Sequence, residues 1–351
     1  MKFTLIMALL LWVMPVKAIK INGVPKDIKE NMEHVLLAES DECAVDIAES
    51  SLLDEALLDR LLAAIKPFGF FKAEIKTQGQ DAAENCKELT YNVTLNAPTT
   101  ISELTLNVQG SGQNDPAIQN IINQLSLKEG QVLKTFRYDQ FKTRLLSESH
   151  ALGYLDGQFK RSQIKVDVEN PLAQVFLVFE TGPVYHFSAV MFDQTEHFMD
   201  PEFLSKMLNI RTGERVLNES IAKQIAVLND SLYFSQVTAT KANKSVVDAT
   251  VDLQISVSPA KRIKYSLGLG YATDTGARTT LEYQNDRMGS KAYQFKSQAK
   301  IAQTNQDISM RLKIPSRSKP LKKWYAIDTG YLIEDIESKE QKTKKLSFSQ
   351  S

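Results

Sequence analysis

In the stretch Tyr138-Asp-Gln-Phe141-Lys-Thr-Arg-Leu145-Leu-Ser-Glu-Ser-His150-Ala-Leu152-Gly153-Tyr154-Leu155-Asp-Gly-Gln-Phe159, three apolar residues fall at helical spacing. Tyr138, Phe141 and Leu145 make one stripe of an amphipathic helix. Gly153 can adopt the left-handed conformation that ends a helix, so Leu152 to Leu155 reads as a helix-to-strand corner. An alternating strand through Ala173, Val175, Leu177 and Phe179 then stops at Gly182-Pro183.

Two other segments repeat this plan. Upstream, Leu58, Leu61, Leu62 and Ile65 form the stripe, Gly69-Phe70-Phe71 the corner, and Tyr91 to Leu95 the strand before Ala97-Pro98. Downstream, Ile221, Ile225 and Leu228 precede the corner Leu232-Tyr233-Phe234, and Val251, Leu253, Ile255 and Val257 lead to Ser258-Pro259. The closing prolines are 85 and then 76 residues apart, which is too long for a solenoid repeat and suits tandem domains. Each unit reads strand, helix, helix, strand, strand, an α+β domain with one modest core. Asp115-Pro116 and Asp200-Pro201 are helix starts with proline at the first helical position. In the first unit the polar run Thr77 to Lys87 reads as a loop, and so does acidic Asp41 to Glu49.

Beyond Pro259 the helical period is gone. Tyr265, Leu267, Leu269 and Tyr271 alternate with Lys264, Ser266, Gly268 and Gly270, and four or five further segments of about ten residues alternate in the same way. Asn285 to Ser290 reads as a turn between two of them. Such strands, with aromatics near their ends and no helix to cover the apolar side, predict the N-terminal strands of a transmembrane antiparallel β-barrel. A soluble antiparallel sheet alternates too, so that reading stays open. Five or six strands leave open edges that lipid does not satisfy, so the pattern predicts only part of a barrel.

Charge changes at the same boundary. Residues 19–260 carry 22 Lys and Arg against 33 Asp and Glu, whereas residues 261–351 carry 18 against 9. Met1-Lys2, the apolar run Phe3 to Val13 and small Ala18 have the layout of a signal peptide over residues 1–18, placing the rest outside the cytoplasm. The only cysteines, Cys43 and Cys86, both fall in the first unit and predict a disulfide in an oxidising compartment. The expected organisation is therefore 1–18 signal peptide, 19–98, 99–183 and 184–260 as repeated domains, and 261–351 as partial barrel.

Catalytic chemistry finds no footing. His34, His150, His186 and His197 are scattered without metal-ligand spacing, and Gly268-Leu-Gly270 lacks the third glycine of a dinucleotide loop. The basic run Ser316 to Lys323 has no interleaved aromatics and reads as a solvated turn rather than a nucleic-acid site. No enzyme, cofactor or metal is expected.

Three such units with Gly-aromatic corners resemble POTRA domains, and Gly268-Leu-Gly-Tyr-Ala-Thr-Asp-Thr-Gly276 resembles the first barrel hairpin of the outer-membrane assembly superfamily. Three domains with this hairpin are most similar to the TamA family, the outer-membrane subunits of the translocation and assembly module. The third corner departs from the pattern, with Leu232 in place of glycine. The resemblance implies insertion or secretion of outer-membrane proteins such as autotransporters, outer-membrane location with POTRA domains in the periplasm, and a TamB-like partner anchored in the inner membrane. Unfolded outer-membrane proteins would be clients and outer-membrane lipid would contact Tyr265, Leu267, Leu269 and Tyr271. Small sheets of this kind can add a strand at an exposed edge. The candidate edges are Lys72 to Lys76, Gln158 to Val166 (with Phe159 and Ile164) and Val237 to Lys241. A two-partner-type exporter and a soluble periplasmic scaffold are the other readings.

Overall fold

The computed structural model describes residues 19–37, 51–82, 86–273, 276–336 and 339–351. The expected signal peptide (1–18), the acidic stretch 41–49 and Cys43 lie outside these residues.

Three modules share one element order. The first comprises β1 (Ile19–Asn22), α1 (Lys26–Leu37), α2 (Ser51–Ile65), β2 (Glu74–Ala82) and β3 (Cys86–Thr94). The second comprises β4 (Thr100–Gln109), α3 (Pro116–Asn123), α4 (Thr135–Ala151), β5 (Gln158–Asp167) and β6 (Leu172–Glu180). The third comprises β7 (His186–Gln194), α5 (Pro201–Ser205), α6 (Asn218–Asn229), β8 (Phe234–Ser245) and β9 (Thr250–Pro259). In each the last strand lies in the middle of a three-stranded sheet, parallel to the first and antiparallel to the other.

The middle strand explains the alternation in the sequence. Ala173, Val175, Leu177 and Phe179 of β6, and Val251, Leu253, Ile255 and Val257 of β9, are each at most 1% exposed. Burying one of the larger side chains contributes about 1.5–3 kcal/mol, so this strand carries much of each core. The helices begin as their sequences direct: the Asp115 carboxylate accepts from Ala117 N, and Asp200 accepts from Glu202 N and Phe203 N, with proline next in both.

One expected loop is a hairpin instead. Most of Thr77 to Lys87 belongs to β2 and β3, paired out to Ala82 opposite Cys86. Polar composition misled here, because ladder bonds between two backbones do not require an apolar side chain.

The corner glycines have a second function beyond ending helices. Gly69 and Gly153 have φ of +97° and +92°, and a Cβ there would lie 2.7 Å from Leu133 O and 2.6 Å from Val216 O respectively. Each glycine thus lets the helix-to-helix connector of the following module lie against the corner. The same four hydrogen bonds recur at both joints. Gly69 O accepts from Thr99 N (2.8 Å), Thr99 O from Leu133 N (2.8 Å), Gln131 O from Ile101 N (2.9 Å) and Ile101 O from Gly130 N (2.8 Å). Gly153 O accepts from Tyr185 N (2.9 Å), Tyr185 O from Val216 N (2.9 Å), Glu214 O from Phe187 N (3.0 Å) and Phe187 O from Gly213 N (2.8 Å). At the second joint the buried Tyr185 hydroxyl also donates to Asp156 Oδ2 (2.5 Å), which Lys244 pairs from the other side. Burial, with the Asp156 hydrogen bond and charge, pushes the Tyr185 hydroxyl up to about 12. At the third corner no such connector follows, and Leu232 is 47% exposed, so no glycine is needed there.

The remaining strands, β10 (Ile263–Ala272), β11 (Gly276–Met288), β12 (Tyr293–Ala302), β13 (Asn305–Pro315), β14 (Trp324–Ile336) and β15 (Lys339–Gln350), form one antiparallel sheet in sequence order. The expected turn at Asn285 to Ser290 begins later, because β11 continues to Met288 through a bulge. Asn285 and Asp286 are buried there, and Asp286 pairs with Lys264 at 2.8 Å, so polar residues that look like turn formers are held in a strand. The third module grips this end of the sheet. Ser290 O accepts from Asp200 N (3.1 Å), Arg287 lies 4.4 Å over the Phe198 ring and donates to Phe198 O (3.2 Å), and Ala292 is fully buried in the module's core.

Replacing Gly153 by Ala is expected to destabilise the chain by about 2 kcal/mol or more, from left-handed strain plus the Val216 contact. Leu232→Gly should change stability by less than about 1 kcal/mol. Urea denaturation of the two variants checks both, and equal effects would refute the assignment of the joint to the glycine.

Candidate functional surfaces

A strand at the rim of a sheet presents unpaired N–H and C=O groups, so the two rims of each module are the first places to look. One rim is sealed. The connectors bond to Ile101 and Phe187, isolated bridges join Thr100 to Val132 and His186 to Arg215, and Glu129 Oε1 accepts from Leu104 N (2.9 Å). The signal for this seal is the pair of stretches Leu125-Ser-Leu-Lys-Glu-Gly130 and Leu208-Asn-Ile-Arg-Thr-Gly213, whose likeness the sequence displays but whose pairing with a rim strand it does not.

The opposite rims are β2, β5 and β8, where the structure puts the three expected edges. The first of these is shorter than expected. Lys72 precedes β2, and it is tied down by Glu169 at 3.1 Å, leaving Glu74 to Lys76 in the strand. In β8, Lys241 donates to Asn218 Oδ1 (2.8 Å), and burial draws its ammonium below the usual lysine range.

The edge of β5 has a further feature. Phe159 and Ile164 are five positions apart, which in a regular strand would put them on opposite faces. A bulge between Phe159 and Arg161 shifts the phase, so Phe159 lies opposite Phe179 and Ile164 opposite Val175, both on the buried side. The Phe159 and Phe179 rings stand 4.9 Å apart. These side chains therefore anchor the edge from within, and what β5 offers outward is its backbone. Arg161, Ser162 and Gln163 are exposed, and Arg161 covers the Phe176 ring at 4.0 Å.

The second surface is the six-stranded sheet. Its registers place Tyr265 opposite Tyr283, Leu267 opposite Leu281, Thr279 opposite Ile301, Ala299 opposite Ile308, Leu312 opposite Ile327 and Ile327 opposite Phe348, all on one face. That face is open: Tyr265, Leu267, Leu269 and Tyr271 are 67–79% exposed, and Leu346 and Phe348 are 65% and 73% exposed. The other face is polar and internally paired. Lys296 meets Glu282 at 2.8 Å, Arg311 pairs with Asp328, and Gln298 donates to Glu282 (3.4 Å). An apolar face this broad is far larger than single exposed residues explain. Among the described residues no helix is long and apolar enough to cross a membrane, and no His, Cys, Asp or Glu cluster could hold a metal. Cys86 begins β3, but its expected partner Cys43 is outside the described residues.

Residues 18–95 match the family model described as POTRA domain, TamA domain 1. Among solved structures, BamA from Haemophilus ducreyi lacking POTRA domains 1–3 superposes with a TM-score of 0.55 at 14% identity, over 71% of this chain and 47% of that one. The chain thus spans about half the length of that relative. POTRA domains 3–5 of BamA from Haemophilus influenzae give a TM-score of 0.39 at 14% identity, over 68% of this chain and 94% of that one, too distant in shape to add to the comparison. Residues 18–95 thus match a POTRA domain, and the strand-helix-helix-strand-strand modules followed by an antiparallel six-stranded sheet share the fold of that BamA fragment.

Proposed function

We propose that the chain is the periplasmic arm and first barrel strands of a TamA-like outer-membrane assembly factor, which helps insert or secrete outer-membrane proteins such as autotransporters. The observation that carries this reading is the two-faced sheet, with apolar residues open to the outside across all six strands and ion pairs on the other side. A soluble scaffold would leave that face in water. In lipid it lies against hydrocarbon, with Tyr265, Leu267, Leu269 and Tyr271 as the lipid-facing set of β10. The modules at 19–98, 99–183 and 184–260 then stand in the periplasm and the barrel portion begins at 261, after export directed by residues 1–18. Carbonate washing of membranes from cells making the full chain is expected to leave it in the pellet; release into the wash would favour the scaffold.

Clients, or an inner-membrane-anchored TamB-like partner, would dock by adding a strand to β5, an edge that no connector seals. Neighbouring N–H groups in a strand point to opposite sides, so of Ile164→Pro and Gln163→Pro one removes an outward donor and the other an internal ladder bond. The variant that keeps the fold, judged by circular dichroism and melting, is expected to lose client or partner cross-linking at β5 by about tenfold. Full capture by that variant would exclude β5 as the docking strand.

We also propose that Cys43 and Cys86 form a disulfide, which in the chain-entropy model stabilises the first module by about 4 kcal/mol. Thiol labelling of the unreduced, denatured chain should find no free thiol, and two labelled cysteines would rule the bridge out.

A further inference from the structure

The basic run after β13 is not a loose solvated turn. Lys319 O accepts from Lys322 N (3.0 Å) and Lys323 N (2.9 Å), and Lys323 O accepts from Ser316 N (2.8 Å), closing it into a fixed loop. Pro315 and Pro320 are buried, and Leu321 packs against the core of the third module. So anchored, the loop holds Arg317, Lys319, Lys322 and Lys323 outward, all exposed and without an ion-pair partner among the described residues.

The same arrangement recurs along that end of the sheet. Exposed Lys261 and Arg262 precede Ile263 of β10, and exposed Lys291 follows Met288 of β11. On β14 the apolar face ends at Tyr325, which is 55% exposed and directly follows Lys323-Trp324. Where the apolar face stops, a cation stands within three residues on strands β10, β11, β13 and β14. At the far end the described turn residues Gln303 and Thr304 are uncharged, although exposed Arg278 and Lys300 stand nearby on their strands. What distinguishes the near rim is the closed loop, which fixes four cations together beside Tyr325.

We infer that this rim is a binding belt for the anionic phosphate headgroups of the bilayer leaflet on the side of the modules, fixing the depth at which the strands sit. The inference rests on the barrel reading above. An apolar band, an aromatic at its border and then a row of cations is the order in which a bilayer presents hydrocarbon, interface and negative surface. The cations are held by the third module and by backbone bonds, so binding costs little ordering of the loop.

The test uses the full chain, presented from mild detergent to phosphatidylcholine vesicles with and without phosphatidylglycerol, and reads the fraction that floats with lipid. Wild type should associate more strongly with the anionic vesicles, in a salt-sensitive way. Arg317→Gln, Lys319→Gln, Lys322→Gln and Lys323→Gln together should remove at least about tenfold of that preference. Inorganic phosphate at equal ionic strength to a chloride control should not restore the difference. A control variant, with Lys26, Lys29, Lys206 and Lys223 on module helices changed to Gln, should behave as wild type. Equal association with both vesicles, or equal loss in the control variant, overturns the belt while leaving the barrel reading intact. Failure of wild type to float with either vesicle brings down both.

Discussion

An extended strand carries hydrogen-bonding groups on both sides, and most of this chain's architecture follows from which of those groups find a partner. In each module the last strand takes the middle, where both sides are bonded, and in the second and third its alternate residues are buried in the core. The first strand of the second and third modules is closed off by a connector, through Gln131 and Glu214. What remains in each of those two modules is a single free rim, polar in sequence, where side chains such as Arg161 and Lys165 oppose aggregation. The six-stranded sheet obeys the same constraint, since its two outermost strands have partners on one side only.

The repeat was legible because burial imposes periods on a sequence. Four consecutive apolar alternations in β6 and again in β9 identify a strand with one dry face, and Tyr138, Phe141 and Leu145 identify the helix that dries it. The strands after Pro259 were equally plain, because their apolar positions face a common side and their registers keep them together. Polar segments were less legible. The β2–β3 hairpin and the end of β11 are built from residues that favour turns elsewhere, and they stay extended because of pairing and a buried Asp286–Lys264 contact that no local pattern encodes.

The functional surfaces divide along the same line. That β5 lies at a rim followed from its position before the alternating strand, but the bulge that turns Phe159 and Ile164 to one side did not. A phase shift leaves no mark in composition; only the partner strand reveals it. The basic run Ser316 to Lys323 was visible as charge, while its backbone closure and the seat of Leu321 in the third module required the fold.

The joints at Gly69 and Gly153 share four main-chain hydrogen bonds and the absence of one side chain, to which the second adds the Tyr185–Asp156–Lys244 contacts. The shared part of that coupling needs no particular side chain, so any unit bearing the corner and the connector can use it, while the Tyr185–Asp156 contact is particular to the second joint. Gene duplication could then lengthen or shorten such an arm a whole unit at a time, without compensating changes elsewhere. The exposed Leu232 marks the place where that plug-and-socket series gives way to a different kind of attachment.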